Sequence, residues 1–383
     1  MRHSVSVTCT MHHPGWFTYI CRGFVLIVFT AVITYAVIVW FVSHMHKNVT
    51  KYKAKTDFQN NVDIFRGSEI RRAADMQLEL GNKKQISEEV ELRIIVMVYN
   101  RALSLRRLLE SLNKANYYGD KVMLEVWVDR ANNGTVDENT YNLARSFKFL
   151  HGLYKIFNHT RHVGIYGQWM GTWRPSVNSS EIGILLEDDL SVSPYFYKWL
   201  RIVHNKYHHL EHINGFALQG VSITHGVGAK SQYLDVNKEH RTFLYPILGT
   251  WGFSPKVKNW LTFLNWYKDS VKDLTFQPIV EGIWPSEWYK IFLQNGKEYT
   301  MWEMWHIYHA WKRKELTLYS NFPGHQGLAI NWKEPGLHYS KNNDIIPDPL
   351  LLEWKPEYED LPEYPIIVDI NGNEMTQKPW HFT

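Results

Sequence analysis

The sequence predicts an α/β fold in which helices flank a mostly parallel, Rossmann-type β-sheet, preceded by a single N-terminal transmembrane helix. After residue 92, short apolar runs rich in β-branched residues alternate with helical stretches, as in a parallel sheet with crossover helices. Earlier in the chain, a run of twenty residues carries no charge. The predicted parts are a tail at 1–22, an anchor at 23–42, a polar stem at 43–91 and a folded domain at 92–383.

The composition is that of a folded chain with few cysteines. Hydrophobic residues make up 45% and charged residues 21%, which excludes a disordered protein. The 42 Lys and Arg against 38 Asp and Glu form no dense basic block, so no nucleic-acid partner is expected. Both cysteines, Cys9 and Cys21, precede the uncharged run. A disulfide framework, a cysteine-ligated zinc site and a cysteine nucleophile are therefore excluded from the folded domain.

The uncharged run at 23–42 reads GFVLIVFTAVITYAVIVWFV. A helix of about twenty residues crosses the bilayer core and satisfies its own backbone polar groups. A buried helix of a soluble domain is the alternative, and a cleaved signal peptide fits less well because no small-x-small site follows. The signs of orientation conflict. The lysines after the run favour a cytoplasmic C-terminal side. A lumenal side is favoured by four N-x-Ser/Thr sequons, at Asn48, Asn133, Asn158 and Asn178.

The elements of the folded domain follow from apolar periodicity. Leucines at helical spacing predict a helix over 104–115, with Ser104 as its cap, and a second helix follows the turn RANNGTVD and ends near Leu150. After residue 210 the pattern loosens, so this half is expected to contain long loops and a few helices packed on the sheet. Neither a GxGxxG fingerprint nor a P-loop occurs. Buried strands are predicted at 93–99, 122–128, 153–157 and 182–186.

Three consecutive acids, Glu187, Asp188 and Asp189, follow the strand at 182–186 directly. Ligands of open α/β sheets bind beyond the carboxyl ends of the strands. Adjacent carboxylates repel one another, and a divalent cation relieves that repulsion; oxygen ligands suit Mg²⁺ or Mn²⁺. A solvated acidic turn is the alternative. The position after a buried strand favours a metal site whose open positions a diphosphate fills.

The segment LLEDDLSVSP resembles the metal motif of GT-A glycosyltransferases, in the E-D-D form of N-acetylglucosaminyltransferase I. Further similar segments occur in the same order over about 92–345. VMVYNRALSLRRLLESL resembles the first strand and helix of that family, with Asn100 in place of its acid, and VWVDRANNG resembles the second strand. MWEMW resembles the family's W-D-D-W segment, with Met304 in place of one acid. The resemblance implies a GT-A-like fold with a nucleotide-sugar and metal part at 92–200 and an acceptor part at 201–345.

The resemblance also implies roles for residues at the donor site. Asp189 is the expected direct ligand of Mn²⁺ or Mg²⁺, with Glu187 and Asp188 contributing directly or through hydrogen bonds. Arg101 is expected to contact the base or the phosphates of a UDP-sugar, and Asp129 the uracil or ribose. Arg101 as a surface residue and Asp129 as an ordinary turn residue are the alternatives.

The acceptor side requires a base that takes the proton of the incoming hydroxyl. Glu303, between Trp302 and Trp305, is the candidate catalytic base, because an aromatic setting raises a carboxyl pKa. An aromatic helix face is the alternative, and Glu281 and Glu287 are rival bases. The family's C-terminal histidine ligand of the metal matches His338 in GLHYSK, with His325 as a weaker rival. Trp251 would line the acceptor site or pack in the core.

These expectations combine into a single-pass type II protein of the Golgi or ER membrane with a lumenal catalytic domain. It would be a metal-dependent hexosyl- or N-acetylhexosaminyltransferase, inverting, moving a sugar such as GlcNAc from a UDP-sugar to a glycan or glycoprotein. A non-catalytic carbohydrate-binding protein on a degenerate transferase fold is one alternative, because acids are lost at Asn100 and Met304. A metal-dependent phosphoesterase is another, although its additional Asp and His ligands at strand ends are missing from the sequence.

Overall fold

The computed structural model describes residues 88–220, 233–334 and 348–375, all within one unit that spans Phe65–Thr383. The predicted tail and anchor, almost all of the stem, Asn48 and His338 lie outside the described residues. Among the helices of the described part, none is both long and apolar enough to cross a membrane. The domain boundaries therefore stay predictions.

Strands and helices alternate through the first half of the described chain, and strands continue in the second half. The helices are α1 (Ala102–Asn113), α2 (Glu138–Ser146), α3 (Gly164–Gly171), α4 (Phe196–Tyr207), α5 (Val257–Ser270), α6 (Trp284–Gln294) and α7 (Glu303–Arg313). The strands are β1 (Leu92–Val98), β2 (Val122–Val128), β3 (Gly152–Asn158), β4 (Ile182–Glu187), β5 (Leu190–Val192), β6 (Ile213–Ala217), β7 (Thr242–Tyr245), β8 (Phe253–Pro255), β9 (Leu316–Ser320), β10 (Ala329–Asn331) and β11 (Ile366–Ile367).

Nine of these strands form one sheet in the order β11-β7-β9-β6-β8-β4-β1-β2-β3. Strands β3, β2, β1 and β4 are parallel neighbours. Strand β8 runs antiparallel to both β4 and β6, and β9 is parallel to β6. The short strands β5 and β10 pair with each other in a second sheet. The prediction of an α/β fold with a mostly parallel sheet flanked by helices is confirmed.

The four predicted strands are all present, within one residue of their predicted starts and ends. The prediction of long loops and a few helices after residue 210 gave the helices α5, α6 and α7 but missed the strands β6, β7, β8, β9 and β11, which extend the sheet through this half. These strands have two to five residues each, too short for a periodic pattern. The cap of α1 was also wrong: the helix begins earlier, at Ala102, and the Ser104 hydroxyl donates to Glu334 instead.

Alternate residues of the central strands face two different hydrophobic cores. Ile94 and Val96 of β1 belong to a core covered by the leucines of α1 and by α4. Ile95 and Met97 face a second core, which is rich in aromatic rings from α3, α5 and α7. Because both faces of β1 and β2 are fully buried, these strands are continuous apolar runs rather than alternating ones. The two cores fix the carboxyl ends of the strands in place.

The amino end of the sheet holds a buried ionic cluster. Arg93 of β1 contacts Glu125 of β2 at 2.6 Å and Glu181, next to β4, at 3.0 Å. The indole N–H of Trp127 donates to Glu125, and that of Trp173 donates to Glu181. Burial raises the pKa of Glu125, and the charge of Arg93 opposes that rise. The cluster therefore joins three neighbouring strands through one guanidinium.

Replacing Arg93 with Met is expected to lower the free energy of unfolding by about 3–5 kcal/mol, because Glu125 is left buried without its cation. Chemical denaturation with a circular-dichroism readout measures this change. The matched control is Lys258→Met, since Lys258 and Glu211 form a pair whose side chains are 76% and 81% exposed. An equal effect of the two substitutions would contradict the structural role of the cluster.

Candidate functional site

The carboxyl ends of β1, β2 and β4 lie side by side at one edge of the sheet. Met97 of β1 pairs with Glu187 of β4, and Val98 pairs with Val128 of β2. The residues that directly follow these strands are therefore neighbours in space, although almost ninety residues separate β1 from β4. This is the edge at which open α/β sheets bind ligands.

Arg101, which follows β1 and precedes α1, contacts two of the three acids that follow β4. Its Nη2 and Nε atoms donate to the two carboxylate oxygens of Asp188, the Nε contact being 3.2 Å long. Its Nη1 atom donates to Oδ2 of Asp189 at 3.0 Å. The Arg101 side chain is 28% exposed, whereas those of Asp188 and Asp189 are 4% and 8% exposed. The structure thus brings together three of the predicted site residues.

Asp189 is held from its other side by the strand β10. The amide Nδ2 of Asn331 donates to Oδ1 of Asp189 at 3.0 Å, and the backbone N–H of Trp332 donates to the Asp189 carbonyl. The Asn331 contact follows from the pairing of β10 with β5. Sequence reasoning missed Asn331, because a single Asn in a short apolar run carries no pattern. Its partner lies 142 residues away.

The segment that follows β10 is hydrogen-bonded to α1 through Glu334. The Ser104 hydroxyl and the Arg107 guanidinium both donate to the carboxylate of Glu334. The Arg107 guanidinium also lies over the ring of Trp332, 4.4 Å from its centre. His338 follows four residues after Glu334 and is outside the described residues, so its role as a metal ligand stays a prediction.

Glu187 ends β4 and points toward helix α3. Its Oε1 atom accepts a hydrogen bond of 2.9 Å from the indole N–H of Trp169. Trp169 stacks on Trp302, with 4.0 Å between ring centres and an interplanar angle of 20°. Sequence reasoning missed Trp169, since one tryptophan among seventeen gives no signal of its own.

The cluster has more negative than positive charge. Glu187, Asp188 and Asp189 face the single guanidinium of Arg101, which leaves two formal negative charges without a cation among these four groups. Burial, together with the neighbouring Asp189, raises the pKa of Glu187 to about 8. Burial also raises the pKa of Asp188 to about 7, and Arg101 opposes that rise. Added positive charge would favour the ionised forms of both.

The cluster fits a hard divalent cation in donor chemistry and in charge. Its possible ligand atoms are carboxylate oxygens, and when all three acids are ionised their excess of two negative charges over Arg101 equals the charge of one dication. In the described part of the chain, no group of three or more His, Cys, Asp or Glu side chains has the geometry to hold a metal ion without further ligands. Mg²⁺ is commonly held by one or two carboxylates, with phosphate oxygens and water completing its shell. Asp189 and Glu187 are the residues that would hold such an ion.

Glu303 begins α7 directly after the stacked ring of Trp302. Burial raises the pKa of Tyr166, which lies one turn before Trp169 on the same face of α3, and the charges of Tyr289, Tyr267 and Glu303 add to that rise. Burial raises the pKa of Glu303 itself to about 7, opposed by a hydrogen bond to its own backbone. Glu303 thus follows in sequence the ring that stacks on Trp169, the hydrogen-bond donor to Glu187. Its role as the base stays a prediction.

The two rival bases have a different environment. Lys290 contacts both Glu287, at 2.9 Å, and Glu281, at 3.4 Å. The side chain of Glu281 is 83% exposed, and that of Glu287 is 49% exposed.

Asp129, after β2, caps the start of α3. Its Oδ1 accepts from the backbone N–H of Val163 and its Oδ2 from that of Gly164, both at 2.9 Å. The His162 Nδ1 atom lies 3.1 Å from Oδ2. Asp129 therefore positions the helix that carries Trp169. Contact with the uracil or ribose stays a prediction, and the nearby ring of Tyr99, 39% exposed, is a further candidate for base stacking.

The two remaining predicted site residues are His325 and Trp251, and neither contacts the three acids among the described contacts. His325 stacks on Tyr233, with 4.0 Å between ring centres. Trp251 is partly buried against the first core, and the Lys333 ammonium group lies 5.9 Å from its ring centre. Lys333 is two residues beyond Asn331, the residue that donates to Asp189. Its acceptor role stays a prediction.

No protein-family model matches the chain, and no curated protein matches it. The solved structures with some similarity include TarS 1–349 from S. aureus, at 12% identity and a TM-score of 0.35, covering 61% of each chain. The mannosyltransferase PcManGT from Pyrobaculum calidifontis, in complex with GDP-Man and Mn²⁺, has 14% identity and a TM-score of 0.28, covering 53% of this chain and 54% of its own.

Mouse xyloside xylosyltransferase 1, in its apo form, has 12% identity and a TM-score of 0.28, covering 48% of this chain and 76% of its own. TarS 1–349 has also been solved in complex with UDP and with UDP-GlcNAc. The chain thus spans about three fifths of the TarS structure that it matches.

Proposed function

We propose that the chain is a glycosyltransferase that moves a sugar from a UDP-sugar to a glycan or glycoprotein acceptor with a divalent cation, Mn²⁺ or Mg²⁺. The observation that carries the proposal is the cluster of Glu187, Asp188 and Asp189 at the carboxyl edge of the parallel strands, in which Arg101 contacts the buried Asp188 and Asp189 and Trp169 donates to the partly buried Glu187. A cluster with surplus negative charge at this edge suits a cation that shares its ligand shell with a diphosphate.

Arg101 serves both the protein and the donor in this proposal. Its guanidinium has five N–H groups, of which three donate to Asp188 and Asp189. The other two remain for oxygens of the diphosphate, and the side chain is exposed enough to reach them. By holding Asp188 with two hydrogen bonds, Arg101 also orients the backbone that presents Asp189. When bound, the cation acts as a Lewis acid that stabilises the diphosphate leaving group.

Glu303 acts on the acceptor side as the base. Its carboxylate takes the proton from the acceptor hydroxyl as that oxygen forms the new bond to the anomeric carbon of the donor sugar. The raised pKa of Glu303, about 7, matches a base that works near neutral pH. One base acting opposite the leaving diphosphate inverts the configuration. The transferred sugar belongs to the hexoses or N-acetylhexosamines, GlcNAc among them.

The same proposal includes a type II arrangement in the Golgi or ER membrane with the folded domain in the lumen. It is supported by the uncharged run at 23–42 and the polar stem that follows. A nucleotide-sugar-dependent enzyme that acts on glycans and glycoproteins requires both substrates in one compartment, and the lumen supplies that.

The test is a panel of UDP-sugars incubated with the full chain and scored for release of UDP. We expect at least one donor to give release with Mn²⁺, loss of release on adding a chelator, and recovery when Mn²⁺ is restored. Release that a chelator leaves unchanged, or the absence of release from every donor of the panel, would contradict the proposal.

A further inference from the structure

Three of the four N-x-Ser/Thr sequons lie in the described residues, and their surroundings differ. Asn133 and Asn178 are exposed, whereas Asn158 is partly buried. The role proposed above for the folded domain uses none of the three. They offer a modification that is independent of glycosyl transfer by this chain.

Asn133 and Asn178 occupy the same position in two hydrogen-bonded turns. The N–H of Gly134 donates to the carbonyl of Ala131, which places Asn133 third in a four-residue turn. The N–H of Ser179 donates to the carbonyl of Ser176, which places Asn178 third in its own turn. Side chains in such exposed turns extend into solvent, where a bulky group meets no packed neighbour.

The sequon at Asn133 has an additional internal contact. Its Oδ1 atom accepts from the backbone N–H of Thr135 at 3.0 Å and from the Thr135 hydroxyl at 2.7 Å. These bonds leave the Nδ2 atom of Asn133 as the exposed end of the amide. A glycan joined to that nitrogen would break neither contact.

Asn158 is the last residue of β3, an edge strand of the sheet that pairs with β2 in register up to Val128. Its Oδ1 atom is buried, with no hydrogen-bond partner among the described residues. The amide is therefore turned into the protein. A glycan on it would require the end of the strand to open.

We propose that Asn133 and Asn178 carry N-linked glycans and that Asn158 does not. In this modification the amide nitrogen forms a bond to the anomeric carbon of a lipid-linked oligosaccharyl diphosphate. The bond from that carbon to the diphosphate oxygen breaks, the lipid diphosphate leaves, and the amide loses one proton. The co-reactant is the oligosaccharyl lipid of the ER lumen, and the sequon is its acceptor.

The test uses the full chain with Asn48→Gln, which removes the sequon outside the described residues, expressed in a eukaryotic cell. Treatment with an N-glycosidase is expected to remove two glycans, seen as two steps of gel mobility. Asn133→Gln and Asn178→Gln each remove one step, and Thr135→Ala repeats the loss at Asn133 whereas Thr135→Ser restores it. Asn132→Gln, in the same turn but outside the sequon, is the matched control and keeps both steps.

A second measurement does not depend on the folding of the variants, because it keeps Asn133, Asn158 and Asn178 unchanged. After N-glycosidase treatment of the chain with all three sequons intact, peptide mass spectrometry is expected to find Asp in place of Asn at positions 133 and 178 only, in excess of the Asp found in an untreated sample, which measures the spontaneous deamidation of the Asn133–Gly134 pair. Conversion at 158, or no conversion at 133 and 178, overturns the proposal. The proposal rests on the lumenal placement of the folded domain proposed above. Because the readout counts glycans and not released UDP, its failure is distinguishable from a failure of the proposed transferase activity.

Discussion

Replacing Asp189 with Asn is expected to reduce UDP release by roughly 10²–10³-fold, among the largest effects of any single substitution in this chain. The two side chains have the same shape, but the amide lacks the charge that a divalent cation requires. Arg101 keeps its two bonds to Asp188, so the fold around the cluster is expected to survive. Initial rates with saturating donor and Mn²⁺ measure the loss.

The matched control for this substitution is Asp269→Asn. Asp269 lies on α5, pairs with Lys272 three residues later and has a side chain that is 75% exposed. It is expected to keep the wild-type rate. Thermal denaturation of both variants separates a lost site from a lost fold. If Asp189→Asn released UDP as fast as wild type, the role assigned to the acidic cluster would be wrong.

Glu303→Gln is expected to reduce transfer by roughly 10²–10⁴-fold while nucleotide binding is retained, because glutamine cannot accept the proton of the acceptor hydroxyl. The Trp169–Trp302 stack remains in this variant, so the donor side of the site is undisturbed. Transfer rates and calorimetric titration with UDP measure the two properties separately.

The pH profile gives a second readout for Glu303. The pKa of its carboxyl is raised to about 7, so the ionised base is lost as the pH falls through that value. Transfer by the wild-type enzyme is expected to fall below about pH 7. The slow residual transfer by Glu303→Gln is expected to lack this limb. An identical acidic limb in the two proteins would assign the titration to another group.

The rival carboxylates supply the controls for this experiment. Glu281→Gln and Glu287→Gln alter exposed groups that pair with Lys290, and both are expected to keep the wild-type rate and pH profile. A large loss in Glu287→Gln together with an unchanged Glu303→Gln would transfer the base assignment to Glu287.

Local runs of apolar residues were sufficient to predict the strands in the first half of the described chain. The runs at 93–99, 122–128 and 182–186 are long and apolar because both faces of these strands are buried, so their strand character is visible without tertiary information. The position of the acids after β4 followed from the same reasoning. The contacts of Asp188 and Asp189 with Arg101 form only because β1 and β4 are parallel neighbours in the sheet.

Contacts between distant segments could not be read from the sequence. Strands β6 to β9 and β11 have two to five residues and acquire their character from the sheet that they join. Asn331 reaches Asp189 only because β10 pairs with β5. Asp129 was assigned to the nucleoside, and its capping of α3 depends on the path of the chain at Val163 and Gly164, where no sequence signal stands out.

The central claim is that the acidic cluster binds a cation together with a nucleoside diphosphate. Its most direct test is calorimetric titration of Mn²⁺ into the full chain saturated with UDP, in wild type and in Asp189→Asn. We expect one Mn²⁺ per wild-type chain and no detectable binding by the variant. Equal Mn²⁺ binding by both proteins, or none by wild type, would contradict the claim.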